Sequence, residues 1–245
     1  MRAFTMELAG RCVSVHAMFE STKAFCRDYL SDLPPDFSVE ICPEDIAFER
    51  AMCARTDAAE GRTVAAYADA YLETVAVQRK LSEALFDYDT LLFHGSAVAM
   101  DGRAYLFTAR SGTGKSTHTR LWREVFGGRA VMVNDDKPFL RITNQTVLAC
   151  GSPWNGKHRL SANLQVPLAA ICILERGAEN RIGEIPPQDA LFMLLQQSNR
   201  PLDAGKMPKY LELIDSLSQR LRFYRLQCNM DPQAAVAAYD AMAGT

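Results

Sequence analysis

Residues 104–126 decide the fold, with the sequence AYLFTARSGTGKSTHTRLWREVF. Ala104–Thr108 is an apolar run typical of a buried strand, and Ser116–Phe126 carries its apolar residues on one face of a helix. Glycines in the turn between them let backbone N–H groups converge on an anion, and the N-terminus of the helix adds partial positive charge there. The stretch therefore predicts a strand, a phosphate-binding loop and a helix.

The loop at 109–116 follows the pattern of loops that hold nucleoside triphosphates. In such loops the lysine, here Lys115, reaches the β- and γ-phosphates, and the hydroxyl of the next residue, Ser116, binds Mg²⁺. The usual pattern opens with glycine, whereas Ala109 stands here, which a negative φ accommodates. A glycine-rich turn that binds nothing is the structural alternative. The expected nucleotide-binding residues are Ser111, Gly112, Thr113, Gly114, Lys115, Ser116 and Thr117.

Two carboxylates, Asp135 and Asp136, end the next apolar run, which begins at Val131. A β–loop–α–β path of this length is expected to return the chain beside the strand that precedes the loop. One carboxylate can then hold magnesium and the other can take a proton from an attacking hydroxyl. An acidic turn at the end of a strand is the structural alternative. His94 ends another strand, where a lone histidine is more often structural than catalytic.

The rest of the chain divides into two parts. Residues 1–87 are predicted to be a small α+β region, with strands at 4–8, 12–15 and 37–41, a helix at 21–30, a loop at 57–62 and a helix from 63 to about 86. Residues 88–245 are predicted to be an α/β domain with hairpins around Asp101-Gly102 and Asn144, and a buried strand at 168–174. Three helices, at 188–197, 208–221 and after Asp231-Pro232, end the chain.

The amino-acid composition limits the kinds of binding partner that are expected. The 27 basic and 29 acidic residues give a net charge of −2, so no overall field attracts nucleic acid or a membrane surface. Seven scattered cysteines without zinc spacing are typical of reduced thiols in a cytoplasmic protein. Neither a signal peptide nor an apolar run long enough to span a bilayer is expected. A homo-oligomer is left open.

His94-Gly-Ser-Ala, Ser111-Gly-Thr-Gly-Lys-Ser-Thr117 and Asp135-Asp136 stand in the order and spacing of the HPr kinase/phosphorylase catalytic domain. The three motifs are equally similar to the nucleotide site of ATP-dependent phosphoenolpyruvate carboxykinase. The resemblance covers residues 90–140 well and the remainder loosely, and the chain looks most like small HPr-kinase-like proteins of Gram-positive anaerobes. It implies a P-loop domain with a mixed sheet for residues 88–245.

The resemblance also implies roles. Lys115 would bind the β- and γ-phosphates, Ser116 and Asp136 would hold the metal, Asp135 would be the general base, and His94 would sit beside the transferred phosphoryl group. The division of roles between the two aspartates stays open. The segment with which classical HPr kinases grip their protein substrate is not found, and the arginine and lysine motifs of the carboxykinases are not evident.

Two further segments are candidates for the acceptor and the transferred group. The loop 151–158 could line an acceptor pocket with Trp154, Lys157 and His158, although a surface turn with a packed indole fits it equally. Arg200 could stabilise charge on the moving phosphoryl group, although an arginine at a helix end also offsets the helix dipole.

Together these features predict an ATP- and Mg²⁺-dependent kinase. It would move the γ-phosphate of ATP to a hydroxyl acceptor, either a serine of a protein or peptide or a small molecule. A non-catalytic nucleotide sensor and a simple ATPase are the alternatives. The aspartate pair and His94 argue against a sensor, which needs no base.

Overall fold

The computed structural model describes residues 2–244, with side chains from residue 3 onward. The chain divides into two compact units, Met1–Ala84 and Leu85–Thr245. Each unit mixes helices with strands. Among the described residues, no helix has both the length and the apolar character needed to cross a bilayer.

The first unit is built on a three-stranded sheet. Its elements are β1 (Arg2–Leu8), β2 (Arg11–Ala17), α1 (Glu20–Phe25), β3 (Phe37–Glu40), α2 (Pro43–Ala59) and α3 (Asp69–Leu85). The sheet order is β1-β2-β3. β1 and β2 form an antiparallel hairpin, and β3 lies parallel to β2. Short strands that bury alternate residues explain the apolar runs of this region.

Two predictions in this unit were wrong: one helix was missed, and another was predicted to begin too early. α2 extends through residues 57–59, which were expected to be a loop, and it was missed because its sequence lacks an apolar stripe. The helix expected from residue 63 begins at Asp69 instead. Asp57 explains the difference, because its carboxylate accepts hydrogen bonds from the Ala65 backbone N–H and the Tyr67 hydroxyl and holds that segment outside the helix.

The second unit contains nine strands and four helices within its described residues. The strands are β4 (Thr90–Leu92), β5 (Ser96–Met100), β6 (Arg103–Thr108), β7 (Val131–Asn134), β8 (Phe139–Ile142), β9 (Val147–Cys150), β10 (Gln165–Arg176), β11 (Arg181–Ile185) and β12 (Arg222–Cys228). The helices are α4 (Lys115–Phe126), α5 (Pro187–Gln197), α6 (Met207–Arg220) and α7 (Gln233–Ala243).

These strands form one mixed sheet in the order β4-β8-β9-β10-β6-β5-β7, with β12 paired to β10 and β11 paired to β12. β10 is its centre, because it lies parallel to both β6 and β12 and its first residues pair antiparallel with β9. The predicted hairpins β5–β6 and β8–β9 are confirmed. Positive φ at Asp101 and Gly102 makes the first turn. β11 and β12 were not predicted from the sequence.

Two apolar cores lie on opposite faces of this sheet. Leu106 and Ile171 belong to the core that α5 and α6 cover, whereas their neighbours Phe107 and Cys172 belong to the core that α4 and α7 cover. Successive side chains of a strand point to opposite faces, so a continuous apolar run supplies both cores. This burial on both sides explains why β6 and β10 read as unbroken apolar runs.

The position of β7 corrects one prediction. β7 does not lie directly beside β6 as expected, because β5 lies between them and pairs antiparallel with each. β6 and β7 therefore run in the same direction, one strand apart. β5, which the hairpin joins to β6, occupies the position beside β6 where β7 was expected.

Candidate active site

One edge of the sheet collects the three sequence motifs. β6 and β7 end at this edge, and β5, which runs the opposite way, begins there. The phosphate loop follows β6, the aspartate pair follows β7, and His94 precedes β5. Strand direction alone thus brings together residues that are about 40 positions apart in the chain.

The phosphate loop has the backbone that its sequence predicts. Gly112 and Gly114 have φ of +77° and +127°, conformations that a residue with a Cβ rarely adopts. α4 begins at Lys115, so its first N–H groups face the loop. Ala109 is buried and keeps a negative φ, which is why alanine fits the opening position. Arg176 donates hydrogen bonds to the carbonyl oxygens of Gly112, at 2.6 Å, and Thr113.

A cavity of about 420 Å³ lies at this edge, and we call it the charged cavity. It brings together most of the predicted site. Its walls are His94, Ser111, Gly112, Gly114, Lys115, Ser116, Thr117, Asp135, Asp136, Gly156, Lys157 and His158. The Lys115 ammonium donates to the Ala109 carbonyl oxygen at 3.2 Å, within the loop itself.

The two aspartates have different surroundings. Asp135 is buried, and its Oδ1 accepts a 2.6 Å hydrogen bond from the hydroxyl of Ser96, which also lies 3.0 Å from the hydroxyl of Thr119. Asp136 keeps 36% of its side chain exposed, and its Oδ1 lies 3.3 Å from Nε2 of His94. Asp135 is therefore held by the hydroxyl of Ser96, whereas Asp136 faces the cavity beside an imidazole.

Charges around the cavity shift three pKa values. The hydrogen bond with Asp136 raises the pKa of His94, but burial and the nearby Lys137 and Lys115 outweigh it and leave that pKa below its ordinary value. Burial raises the pKa of Asp136, but His94 and the same lysines hold it below the ordinary value. Burial also lowers the pKa of Lys115. At neutral pH this leaves a neutral imidazole beside a carboxylate.

Asn134 shapes the turn that carries the carboxylates, and the sequence did not single it out. Its Oδ1 accepts hydrogen bonds from the backbone N–H of Asp136 at 2.8 Å and of Lys137 at 2.6 Å. Its Nδ2 donates to the carbonyl oxygen of Ser152 at 2.9 Å. A fully buried amide that bridges two loops fixes where Asp136 points. Asparagine is a common turn former, so its position immediately before the paired aspartates was the sequence signal for this turn.

The loop 151–158 contributes only part of what was expected. Lys157 and His158 are exposed and line the charged cavity. Trp154 does not line it. Its indole is buried, as expected if this loop is a surface turn with a packed indole. Gly156 approaches Asp136 so closely that a Cβ on it would lie 3.2 Å from the Asp136 Cβ.

Arg200 also lies outside the charged cavity. It follows the C-terminal end of α5, is exposed, and donates a long 3.5 Å hydrogen bond to the carbonyl oxygen of Leu195 in that helix. This is the helix-end placement that the sequence left as the alternative. The structure therefore does not bring Arg200 to the aspartates.

A second cavity, of about 430 Å³, lies on the other side of the loop, and we call it the apolar cavity. It shares Gly112, Gly114 and Thr117 with the charged cavity. Its remaining walls are Thr113, His118, Leu121, Leu174, Glu175, Arg176, Gly177, Cys228, Asn229 and Met230. Sequence reasoning missed this site because its walls come from four separate segments.

The donor set of the charged cavity fits magnesium. Carboxylate and hydroxyl oxygens are the ligands that Mg²⁺ prefers, and beside phosphates it uses one or two carboxylates and no complete protein cage. Ser116, Asp135 and Asp136 provide that chemistry on one wall. Within residues 2–244, no group of three or more His, Cys, Asp or Glu side chains is placed to hold a metal by itself.

Comparison with known proteins gives a distant structural likeness. The chain is similar to the solved Hpr(Ser) kinase/phosphatase from Coxiella burnetii over 63% of its own length and 99% of the other chain, with 10% sequence identity and a TM-score of 0.37. No protein-family model matches the chain. A search of curated proteins finds no match. Since a likeness at this level supports no role for any residue, the proposals below rest on the site itself.

Proposed function

We propose that this protein is an ATP- and magnesium-dependent kinase that transfers the γ-phosphate to a hydroxyl acceptor. One observation carries the proposal: a phosphate loop and a carboxylate–imidazole pair line the same cavity. A nucleotide sensor needs only the loop. A kinase needs both, because the acceptor must lose its proton as the phosphoryl group arrives.

The loop side of the cavity supplies positive charge. Backbone N–H groups at the start of α4 and the ammonium of Lys115 would bind the phosphates. These groups are fixed before the ligand arrives, so little reorganisation is needed when charge develops on the transferred group.

We assign the metal to Ser116 and Asp135. Asp135 is buried at the cavity wall, and the hydroxyl of Ser96, itself hydrogen-bonded to Thr119, holds its carboxylate in place. Bound Mg²⁺ would neutralise charge on the phosphates. This assignment reverses the roles of the two aspartates that the resemblance implies.

We assign proton acceptance to Asp136 with His94. Asp136 is the more exposed carboxylate and can reach a hydroxyl in the cavity, which is the first requirement for a general base. Neutral His94 donates from Nε2 to Asp136 and holds its orientation. Lys157 and His158 at the rim are placed to contact the acceptor.

Transfer of label from γ-labelled ATP tests the proposal. The protein is incubated with MgATP and, in parallel, with a pool of small hydroxyl compounds or a lysate of proteins. Label on a small molecule or on a protein supports a kinase and identifies the acceptor class. Label released only as phosphate in every reaction would indicate an ATPase. Label that stays entirely on ATP despite tight binding would indicate a sensor. Either result overturns the proposal.

A further inference from the structure

Arg176 uses its charge on the phosphate loop. Its side chain lies at the end of β10, is exposed, and forms no ion pair with a carboxylate of the described residues. The glutamates near it in sequence are already paired, Glu175 with Arg225 and Glu179 with Arg181. The guanidinium of Arg176 instead donates to two backbone carbonyl oxygens of the loop, which are 64 and 63 residues away in the chain. The central strand of the sheet therefore holds the loop directly.

These two hydrogen bonds fix two successive peptide groups. Nη2 of Arg176 donates to the carbonyl oxygen of Gly112 at 2.6 Å, and Nε donates to that of Thr113 at 3.4 Å. The described chain contains no cis peptide bond, so the N–H of each of these peptide groups points away from its own carbonyl oxygen. Both N–H groups therefore point away from Arg176. A guanidinium is a rigid fork of donors, which suits it to holding two carbonyl groups at once.

The two N–H groups have different uses. The first belongs to Thr113 and donates to the carbonyl oxygen of Arg110 at 3.2 Å, which closes the turn. The second belongs to Gly114, which borders both cavities. Arg176 lines the apolar cavity and not the charged one, so the Gly114 N–H points to the side of the charged cavity. Backbone N–H groups at the start of a helix are the groups that bind phosphate oxygens.

We propose that Arg176 is a positioning residue that holds the Gly114 N–H in the direction needed to bind a phosphate. It acts through the loop backbone and not through contact with the ligand. Gly112 and Gly114 give the loop a backbone with many alternative conformations, and a contact that selects one of them lowers the entropy lost on binding. The proposal rests on the proposed nucleotide-binding function and adds to the loop a residue from a distant strand.

Binding of inorganic tripolyphosphate with Mg²⁺ tests the proposal, because this ligand has phosphates and no nucleoside. Its affinity is measured by calorimetry. We expect Arg176→Ala to weaken binding about tenfold. Arg176→Lys should weaken it less, because lysine keeps the charge but lacks the fork of donors. Arg181→Ala is the control and should bind as the wild type does, since it removes another exposed arginine at the same end of the sheet.

Amide dynamics distinguish positioning from the loss of charge. In ¹⁵N-labelled protein without ligand, the order parameter of the Gly114 amide should fall in Arg176→Ala and stay at the wild-type value in Arg181→Ala. The ligand-free melting temperature should change little in either variant, because both arginines are exposed. If Arg176→Ala does not fold, the same measurements on Arg176→Lys decide.

Three results would overturn the proposal. Equal affinity of wild type and variant for tripolyphosphate would show that Arg176 does not prepare the loop. Weaker binding with an unchanged order parameter at Gly114 would assign the effect to charge alone. Both results leave the phosphate site intact. Failure of the wild type to bind tripolyphosphate would instead overturn the phosphate site, and the proposed function with it.

Discussion

The charged and apolar cavities share one loop and differ in almost everything else. The charged cavity is lined by two aspartates, two lysines and two histidines, whereas the apolar cavity combines two leucines and a methionine with one glutamate, one arginine and several uncharged polar side chains. His94 and His118 show the contrast. His94 pairs with a carboxylate, while His118 is deeply buried with one nitrogen satisfied by an indole. The loop thus borders one cavity rich in charged side chains and one with a larger apolar share.

Lys115→Ala should have the broadest effect, on both nucleotide binding and transfer, because this residue lines the charged cavity and contacts the loop. We expect loss of thermal stabilisation by MgATP and a fall in transfer of about a hundredfold or more. Thermal denaturation with and without MgATP measures the first effect. Lys206→Ala, which removes a lysine paired with Asp87 elsewhere in the unit, is the control. A ligand-dependent shift that survives in Lys115→Ala would show that the loop is not the phosphate site.

Asp136→Asn should separate chemistry from binding. We expect the transfer rate to fall about 10²–10⁴-fold, because the proton acceptor is lost, while stabilisation by MgATP is retained. Asp135→Asn is the matched variant, and it should raise the magnesium concentration needed for half-maximal transfer. If Asp136→Asn transfers phosphate at the wild-type rate, the base assignment is wrong.

The pH dependence should follow the charged cavity. Protonation of His94 would add positive charge beside the Asp136 carboxylate and weaken it as a base, and the pKa of His94 lies below its ordinary value. Activity should therefore be constant above that pKa and fall about tenfold per pH unit below it. Measurement of kcat/KM from about pH 8 downward checks this expectation. Activity that rises as the pH falls would contradict the role of the pair.

Gly156→Ala should have the smallest effect. Gly156 has φ of +68°, and its new Cβ would press on Asp136. We expect a severalfold loss of transfer and about 1–2 kcal/mol of lost stability. Gly102→Ala is the control, since Gly102 has a similar φ of +77° and open space around it. Equal losses of activity in both would mean that strain, and not contact with Asp136, is responsible.

Local features of the site could be predicted from the sequence, and long-range ones could not. The loop, the helix that follows it and the β5–β6 hairpin depend on neighbouring residues, so glycine positions and apolar spacing were sufficient. The apolar cavity combines α4 with the ends of β10 and β12, which are more than 50 residues apart, so no local pattern reveals it. Burial of Trp154 and the exclusion of Arg200 likewise depend on packing of distant segments.

The burial of His118 was hidden for a related reason. In sequence it is a polar residue within an amphipathic helix, and only its packing against Trp122 and Phe107 shows that it is buried. α2 shows the opposite problem, since a helix with no apolar stripe carries no periodic signal.

The placement of β5 between β6 and β7 sets the distance between the loop after β6 and the aspartates after β7. Neighbouring strands lie about 4.8 Å apart, so the ends of β6 and β7 are separated by about 9.6 Å. In an in-line transfer the acceptor oxygen lies about 3–3.5 Å from the phosphorus atom. The general base must lie beyond the acceptor oxygen, and the loop must lie beyond the phosphorus on the opposite side. A single strand spacing could not contain this arrangement. In the proposed kinase the hairpin strand β5 would act as a spacer, and its width would limit the length of a phosphate-bearing ligand between loop and carboxylate.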